Sequence, residues 1–111
     1  MKIGLVDTQR VSSNRALSAH VEDFSLALSA EGSTTRHVQL VTSRLRSVID
    51  DCHFAFWSDI SASRVERHLA GMREGEDGIS AQTFNFYLQA IKQFCRWMVK
   101  DRRAASSPVE H

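Results

Sequence analysis

Apolar residues recur at intervals of three and four in four separate stretches of this chain. That spacing puts their side chains on one face of an α-helix, and no stretch alternates at period two as a half-buried strand does. The apolar positions are Leu17, Val21, Phe24 and Leu28; Val38, Val41, Leu45, Val48 and Ile49; Val65, Leu69 and Met72; and Phe84, Tyr87, Leu88, Ile91, Phe94, Cys95 and Met98. The pattern predicts an all-α domain with four helices.

Capping residues predict where the four helices begin. Serine and threonine hydroxyls can accept a hydrogen bond from the free N–H groups of a first helical turn. The candidates, in chain order, are Ser12 or Ser13; Ser33, Thr34 or Thr35; Ser61; and Ser80. Gly32 is expected to end the first helix, because glycine takes the left-handed conformation that is common there. The fourth helix is expected to run from Ser80 to Arg103.

The periodic region divides the chain into three parts. Residues 1–12 show no periodicity and are predicted to be an N-terminal arm. Residues 13–104 are predicted to form one compact domain, whose short connections favour helices packed antiparallel or at right angles. Residues 105–111 are expected to begin a linker, since Pro108 cannot continue a helix and biases Ser107 towards extended geometry.

Composition narrows the class of protein. A chain of 111 residues with 42% hydrophobic and 24% charged residues is typical of one soluble globular domain. No apolar run approaches the roughly 18 residues of a membrane span. Asp7 interrupts the N-terminal apolar patch too early for a signal peptide. We therefore expect a cytoplasmic protein that makes no membrane contact.

Cysteine and histidine spacing gives no indication of a metal or cofactor. Cys52 and Cys95 form no CxxC pair, so they are predicted to be reduced thiols that line the core. The five histidines lack the spacing of metal ligands. We predict no metal, no cofactor and no small-molecule ligand.

Charge is segregated along the chain although the net charge is only +1. Residues 33–47 contain three arginines and no acid, and residues 80–103 contain five cations against Asp101. Between them, residues 48–78 contain seven acids and three arginines. If the two basic segments lie side by side, the domain has one basic and one acidic surface, and a basic surface suits a nucleic acid.

The polar side of the fourth helix is the main candidate for that basic surface. Its members follow one another at intervals of three or four: Gln82, Asn85, Gln89, Lys92, Arg96 and Lys100. Lys92, Arg96 and Lys100 are candidates for phosphate binding. Asn85 and Gln89 can present a paired donor and acceptor to an adenine edge, or anchor a phosphate. An ordinary solvated helix face would show the same pattern.

A second group of candidates lies on the second helix. Thr34, Thr35 and Arg36 stand at its start, where free N–H groups favour an anion. Arg44 follows about two turns later. A solvated face is again the alternative. Thr83 is a further candidate, either for DNA contact or only as a helix-start residue.

In this order, the residues resemble the N-terminal core-binding domain of tyrosine recombinases, the phage-type integrases. The likeness covers roughly residues 15–111 and is strongest in the last third. It is carried by Gly32 and Ser33; by Ser80, Thr83, Asn85, Tyr87, Leu88, Ala90, Ile91, Lys92, Phe94 and Trp97; and by Ser107-Pro108, where family members often have Asn-Pro. The net charge is lower than in many such domains, and the turn before the second helix lacks the aromatic often found a few residues on.

The resemblance implies a compact, SAM-like four-helix fold that binds double-stranded DNA. Such a domain clamps a recombination half-site during DNA integration or recombination, beside other protomers of a synaptic complex. It also implies a catalytic domain after Pro108, with an Arg, a His-x-x-Arg and a Tyr. This chain has no His-x-x-Arg, and its single tyrosine, Tyr87, lies on an apolar helix face. We therefore expect no enzyme activity from this chain, and expect the full-length protein to be a bacterial or phage-derived recombinase associated with the nucleoid.

Three points stay open at the level of sequence. A helical protein–protein adaptor that uses Phe54–Trp57 or the acidic third helix is the alternative function. The aromatic residues are most simply core, although an exposed one could dock onto a neighbouring protomer. Arg102 and Arg103 could bind a phosphate near the linker, or only favour the helix C-terminus electrostatically.

Overall fold

Four α-helices form most of the chain in the computed structural model, which describes residues 14–74 and 78–109. They are α1, Leu17–Ala30; α2, Thr35–Asp51; α3, Ala62–Arg73; and α4, Ala81–Lys100. A single 3-10 turn, Trp57–Asp59, lies in the connection between α2 and α3. Within the described ranges there is no strand, only an isolated antiparallel bridge between Ala16 and Phe56. The prediction of an all-α four-helix domain is confirmed.

The packing of α4 against α2 forms the centre of the domain, with α1 mainly on α2 and α3 mainly on α4. Leu45 of α2 and both Ile91 and Met98 of α4 have no exposed surface. Phe24 of α1 meets Phe94 of α4 edge to face, with the ring centroids 5.5 Å apart. Such an aromatic pair contributes about 1 kcal/mol beyond the surface that it buries. The apolar faces of the four helices therefore join in one core.

Burial along α4 is uneven. Its buried residues begin at the middle of the helix and continue into the second half: Ala90, Ile91, Phe94, Cys95 and Met98. Three apolar residues of the first half are only half-buried: Phe84, Tyr87 and Leu88. The helix is thus anchored by its C-terminal half and presents more of its N-terminal half to solvent.

Hydroxyl caps begin three of the four helices. Thr34, Ser61 and Ser80 each accept a hydrogen bond from the amide three residues later, over 3.1, 3.4 and 3.1 Å respectively. Each such cap is worth about 1 kcal/mol of stability. The predicted caps at Ser61 and Ser80 are confirmed, and Thr34 is the cap among the three candidates for α2.

The start of α1 differs from the prediction. The helix begins at Leu17, whereas a start after Ser12 or Ser13 was expected, and those two serines lie outside the described residues. The N-cap residue, Ala16, makes no side-chain hydrogen bond. Instead the Leu17 amide donates to the Ala55 carbonyl at 2.9 Å. The connection between α2 and α3 therefore satisfies an amide that a local hydroxyl was expected to satisfy.

Three helices end in a residue with left-handed backbone. Gly32 follows α1 with a φ of 95°, as predicted, but His53 (φ 59°) and Arg102 (φ 60°) have the same role after α2 and α4. At each of these ends, the amide of the following residue donates a hydrogen bond to the carbonyl five residues earlier. The pairs are Ser33 to Leu28 at 3.2 Å, Phe54 to Ile49 at 2.9 Å, and Arg103 to Met98 at 2.8 Å. The expectation that α4 continues to Arg103 is wrong, because this motif closes the helix at Lys100.

The segment after α4 packs back onto the helices. Ala104 and Val109 are only 5% and 2% exposed and belong to the core. Of the predicted linker, residues 105–111, the part up to Val109 is therefore held against the domain. The predicted arm, residues 1–12, lies outside the described residues.

Both cysteines line the core, as predicted. Cys52 is 6% exposed and Cys95 has no exposed surface, and neither forms a disulfide. Burial raises the pKa of the Cys52 thiol, which keeps it in the protonated and unreactive form.

His53→Gly should raise the free energy of unfolding by about 0.5 to 1 kcal/mol, because a side chain at left-handed φ has a steric cost that glycine lacks. Gly32→Ala should lower the free energy of unfolding by a similar amount. A Cβ at Gly32 would meet no atom within 4 Å, so only the backbone conformation opposes it. Urea unfolding followed by circular dichroism measures both changes. A destabilised His53→Gly variant would contradict this explanation.

Candidate nucleic-acid interface

The polar side of α4 lies opposite its buried side. Its members are exposed, except for Lys92, which is half-buried: Gln82, Asn85, Gln89, Lys92, Arg96 and Lys100. At 1.5 Å per residue, this side is about 27 Å long. No acidic residue occurs from Ser80 to Lys100. No side chain of α4 itself therefore repels a polyanion that lies along this side.

The basic end of the polar side borders a groove between α1 and α4. The groove has a volume of about 180 Å³, and Arg96 and Lys100 line its α4 wall. Ala27 and Trp97 give it an apolar surface, and Glu31 lies on the α1 side. The fold thus brings one carboxylate to the groove beside the two cations, which the sequence alone did not predict.

Arg44 joins the α2 candidates to the polar side of α4. Its guanidinium carbon lies 4.5 Å from the centroid of the Phe86 ring. Phe86 comes four residues after Gln82 and three before Gln89, so it neighbours both on the helix surface. Arg36 lies about two turns before Arg44 on α2 and is exposed.

Two threonine candidates stabilise helix starts. Thr34 Oγ1 accepts the α2 capping bond, and that bond does not use its own hydroxyl hydrogen, which can donate to a phosphate. The half-buried Thr83 hydroxyl accepts a hydrogen bond from Ser80 Oγ at 3.1 Å, inside the α4 cap. Thr83 therefore has the helix-start role that the sequence left open. Thr35 and Arg36 are exposed in the first turn of α2.

Arg103 contacts the interior of the domain and does not belong to the polar side. Its Nη1 donates to Asp23 Oδ2 at 2.8 Å and to His20 Nδ1 at 2.9 Å, and its Nε donates to Asp101 Oδ2 at 2.8 Å. A guanidinium can only donate, so Nδ1 of the buried His20 accepts and its ring proton lies on Nε2. Of the two arginines after α4, only Arg102 stays exposed.

Ion pairs also involve two carboxylates of α1. Arg15 Nη1 lies 2.8 Å from Asp23 Oδ2, and Arg46 Nη2 lies 3.0 Å from Glu22 Oε2. The hydrogen bond from Arg103 is the main cause that holds the pKa of Asp23 below its usual range. Arg15 lowers that pKa further, and partial burial opposes both effects. Asp23 is therefore ionised and paired at neutral pH.

Phe86 and Leu40 are surface residues that the sequence analysis did not single out. Each is 40% exposed. In the sequence, the only indication that Phe86 is exposed is its place among polar positions, outside the apolar stripe of α4. Helical periodicity can place an aromatic residue off the core, but it cannot pair that residue with Arg44 on another helix.

Comparison of the chain with models of protein families, with curated proteins and with solved structures finds no match. The likeness to a recombinase core-binding domain is therefore an interpretation of the motif residues alone. Among the described residues, no three His, Cys, Asp or Glu side chains are grouped to hold a metal ion. Over the same residues, no helix is both long enough and apolar enough to cross a bilayer.

Asp23→Asn should lower the free energy of unfolding at pH 7 by about 1 kcal/mol, because it removes a carboxylate that two arginines contact. The folded-state pKa of Asp23 lies below the unfolded value. Its contribution is therefore complete above the unfolded pKa and is lost as the pH falls through the folded pKa. The wild-type chain should lose stability more steeply than the variant below about pH 4.

Urea unfolding at a series of pH values measures this difference. Glu66→Gln is the matched control, since it removes an exposed α3 carboxylate that has no ion pair within the described residues. It should leave the acid dependence of stability unchanged. Parallel acid dependence in the wild type and in Asp23→Asn would show that the pairing of Asp23 with Arg103 contributes nothing.

Proposed function

We propose that this domain binds double-stranded DNA through the polar side of α4 and the adjoining edge of α2. The observation that carries the proposal is one exposed helix side with amides and cations and no acid from Ser80 to Lys100. Its length of about 27 Å equals the rise of about eight base pairs along the DNA axis. Several side chains of one helix can therefore reach the phosphates that border one groove.

Lys92, Arg96 and Lys100 supply the affinity in this proposal. They recur every four residues, so successive cations are about 6 Å apart along the helix axis. Each phosphate that they neutralise releases counterions, and three such contacts give a slope of about −2.7 in log K against log salt. Asn85 and Gln89 are exposed on the same side and can hydrogen-bond a base edge.

The start of α2 adds a second backbone contact. Thr34, Thr35 and Arg36 are exposed there, where the free N–H groups and the helix dipole favour an anion. Arg44 connects this edge with α4 through the Phe86 ring. Two helices would then grip two stretches of phosphate backbone on one duplex.

The recombinase role is the more specific part of the proposal and rests on the motif resemblance. In that role the domain clamps one side of a recombination half-site, and a catalytic domain after Pro108 holds the other side. The partners are the DNA site and further protomers of a synaptic complex, in the cytoplasm of a bacterium. The chemistry then belongs to the second domain, and the present chain binds DNA without cleaving it.

The adaptor alternative has less support. Of the connector residues that it would use, Phe54 is 4% exposed, and Trp57 packs on Phe94 with 6.4 Å between ring centroids. Phe56 alone among these rings is well exposed, at 42%. A single exposed ring is a small docking surface beside the continuous polar side of α4.

A salt titration tests DNA binding. Fluorescence anisotropy with a labelled duplex, between about 50 and 200 mM salt, should give a steep negative slope of log K against log salt. Lys92→Ala combined with Lys100→Ala should reduce the magnitude of that slope by about 2. Arg67→Ala, which removes an exposed cation of α3, is the control and should leave the slope unchanged. A slope near zero in the wild type would refute DNA binding.

The gene provides an independent test of the recombinase role. If the proposal is right, the reading frame continues past His111 and encodes an Arg, a His-x-x-Arg and a Tyr in that order. Sequencing the region downstream of this segment decides the point. A continuation without that constellation would refute recombinase identity and would leave DNA binding by this domain untouched.

A further inference from the structure

An aromatic ring lies on the surface beside the polar side of α4, where helical periodicity predicts a polar residue. Phe86 is 40% exposed, and one face of its ring carries the Arg44 guanidinium at 4.5 Å. Leu40, one turn before Arg44 on α2, is also 40% exposed. An exposed aromatic and an exposed leucine beside a stacked arginine form a mixed apolar and charged patch at the junction of α2 and α4.

Arg44 differs from Arg46, Arg64 and Arg103 in what its N–H groups contact. Arg46 and Arg103 donate to carboxylates, and Arg64 donates to the Cys52 carbonyl at 2.7 Å. Arg44 makes no ion pair or hydrogen bond within the described residues, and its contact there is with the flat face of Phe86. A stacked guanidinium keeps its five N–H donors at its edge, in the plane of the group. The ring therefore orients the donors of Arg44 without using them.

The residues around the Arg44–Phe86 stack add hydrogen-bonding groups of the kind that contact base edges. Gln82 and Gln89 flank Phe86 on α4 and are exposed. In the major groove, a guanidinium fork fits the O6 and N7 acceptors of guanine, and an aromatic edge packs on the methyl group of thymine. The cations of the α4 polar side can contact phosphates, which position a protein but carry no sequence information.

We propose that Arg44, stacked on Phe86, is a base-reading element of this domain: the Arg44 fork selects a guanine and the exposed edge of Phe86 selects an adjacent thymine. This inference rests on the proposed DNA binding and specifies which residues give it sequence preference. Pre-orientation by the ring reduces the side-chain freedom that a long arginine loses on binding. The preference therefore depends on both partners of the stack.

The test uses the full 111-residue chain and a library of short randomised duplexes, with sequencing of the bound fraction. The wild type should enrich a guanine next to a thymine. Arg44→Lys keeps the charge and removes the fork, so it should reduce the guanine preference about tenfold while the salt slope stays the same. Phe86→Leu keeps apolar bulk and removes the ring, so it should weaken both preferences.

Arg73→Lys is the matched control. Arg73 also lies over a phenylalanine ring, at 5.4 Å from the centroid of Phe84, but at the end of α3. The variant should keep the wild-type base preference. Circular dichroism and urea unfolding of all three variants separate a change of preference from a loss of fold.

The outcomes test the base-reading role separately from the proposed DNA binding. Salt-dependent binding with an unchanged base preference in Arg44→Lys and Phe86→Leu would overturn the base-reading role and leave the DNA-binding function standing. Lower stability in these variants with unchanged preference would mean that the stack only holds α2 on α4. Absence of salt-dependent binding in the wild type would refute the proposed function, and the base-reading role with it.

Discussion

Phe94 makes the contacts on which the rest of the structure depends. Its ring centroid lies 5.5 Å from that of Phe24 in α1, 6.4 Å from that of Trp57 in the connection and 6.2 Å from that of Trp97. These pairs tie α1 and the α2–α3 connection to the second half of α4. Because that half is held by its buried side, the polar side of the same helix faces outwards. The exposure of the candidate interface is therefore a consequence of the core.

The sequence predicted those parts of the fold that depend on local signals. The caps at Ser61 and Ser80 and the stop at Gly32 each act within one helical turn, so residue type and spacing were sufficient. The ends at His53 and Arg102 were missed, because neither residue is glycine. Their left-handed backbone costs about 1 kcal/mol each, and contacts made by the residues that follow must offset it. Such contacts depend on tertiary packing, which periodicity does not contain.

The candidate site likewise has one part that local spacing predicted and one part that depends on tertiary packing. Helical spacing was enough to assemble the polar residues of α4, because they share one helix. It could not indicate that Phe86 meets Arg44, since that contact depends on how α2 and α4 pack. The sequence also left open a phosphate-binding role for Arg103. In the structure, Arg103 is paired with Asp23 on α1, near the start of the domain. Interactions between helices therefore decide which predicted cations remain available to a ligand.

Ion pairing makes the net charge of +1 a poor measure of the field that a polyanion meets. Arg46 is paired with Glu22, and Arg103 is paired with both Asp23 and Asp101. Asp101 is the acid that follows the polar side of α4 most closely in sequence, and Arg103 offsets its charge. The Debye length is about 8 Å at physiological salt, so acids farther than that from the polar side contribute little to its potential. The charge near the polar side, where Lys92, Arg96 and Lys100 lie and Glu31 borders Arg96 and Lys100, therefore determines the local field more than the sum over the chain does.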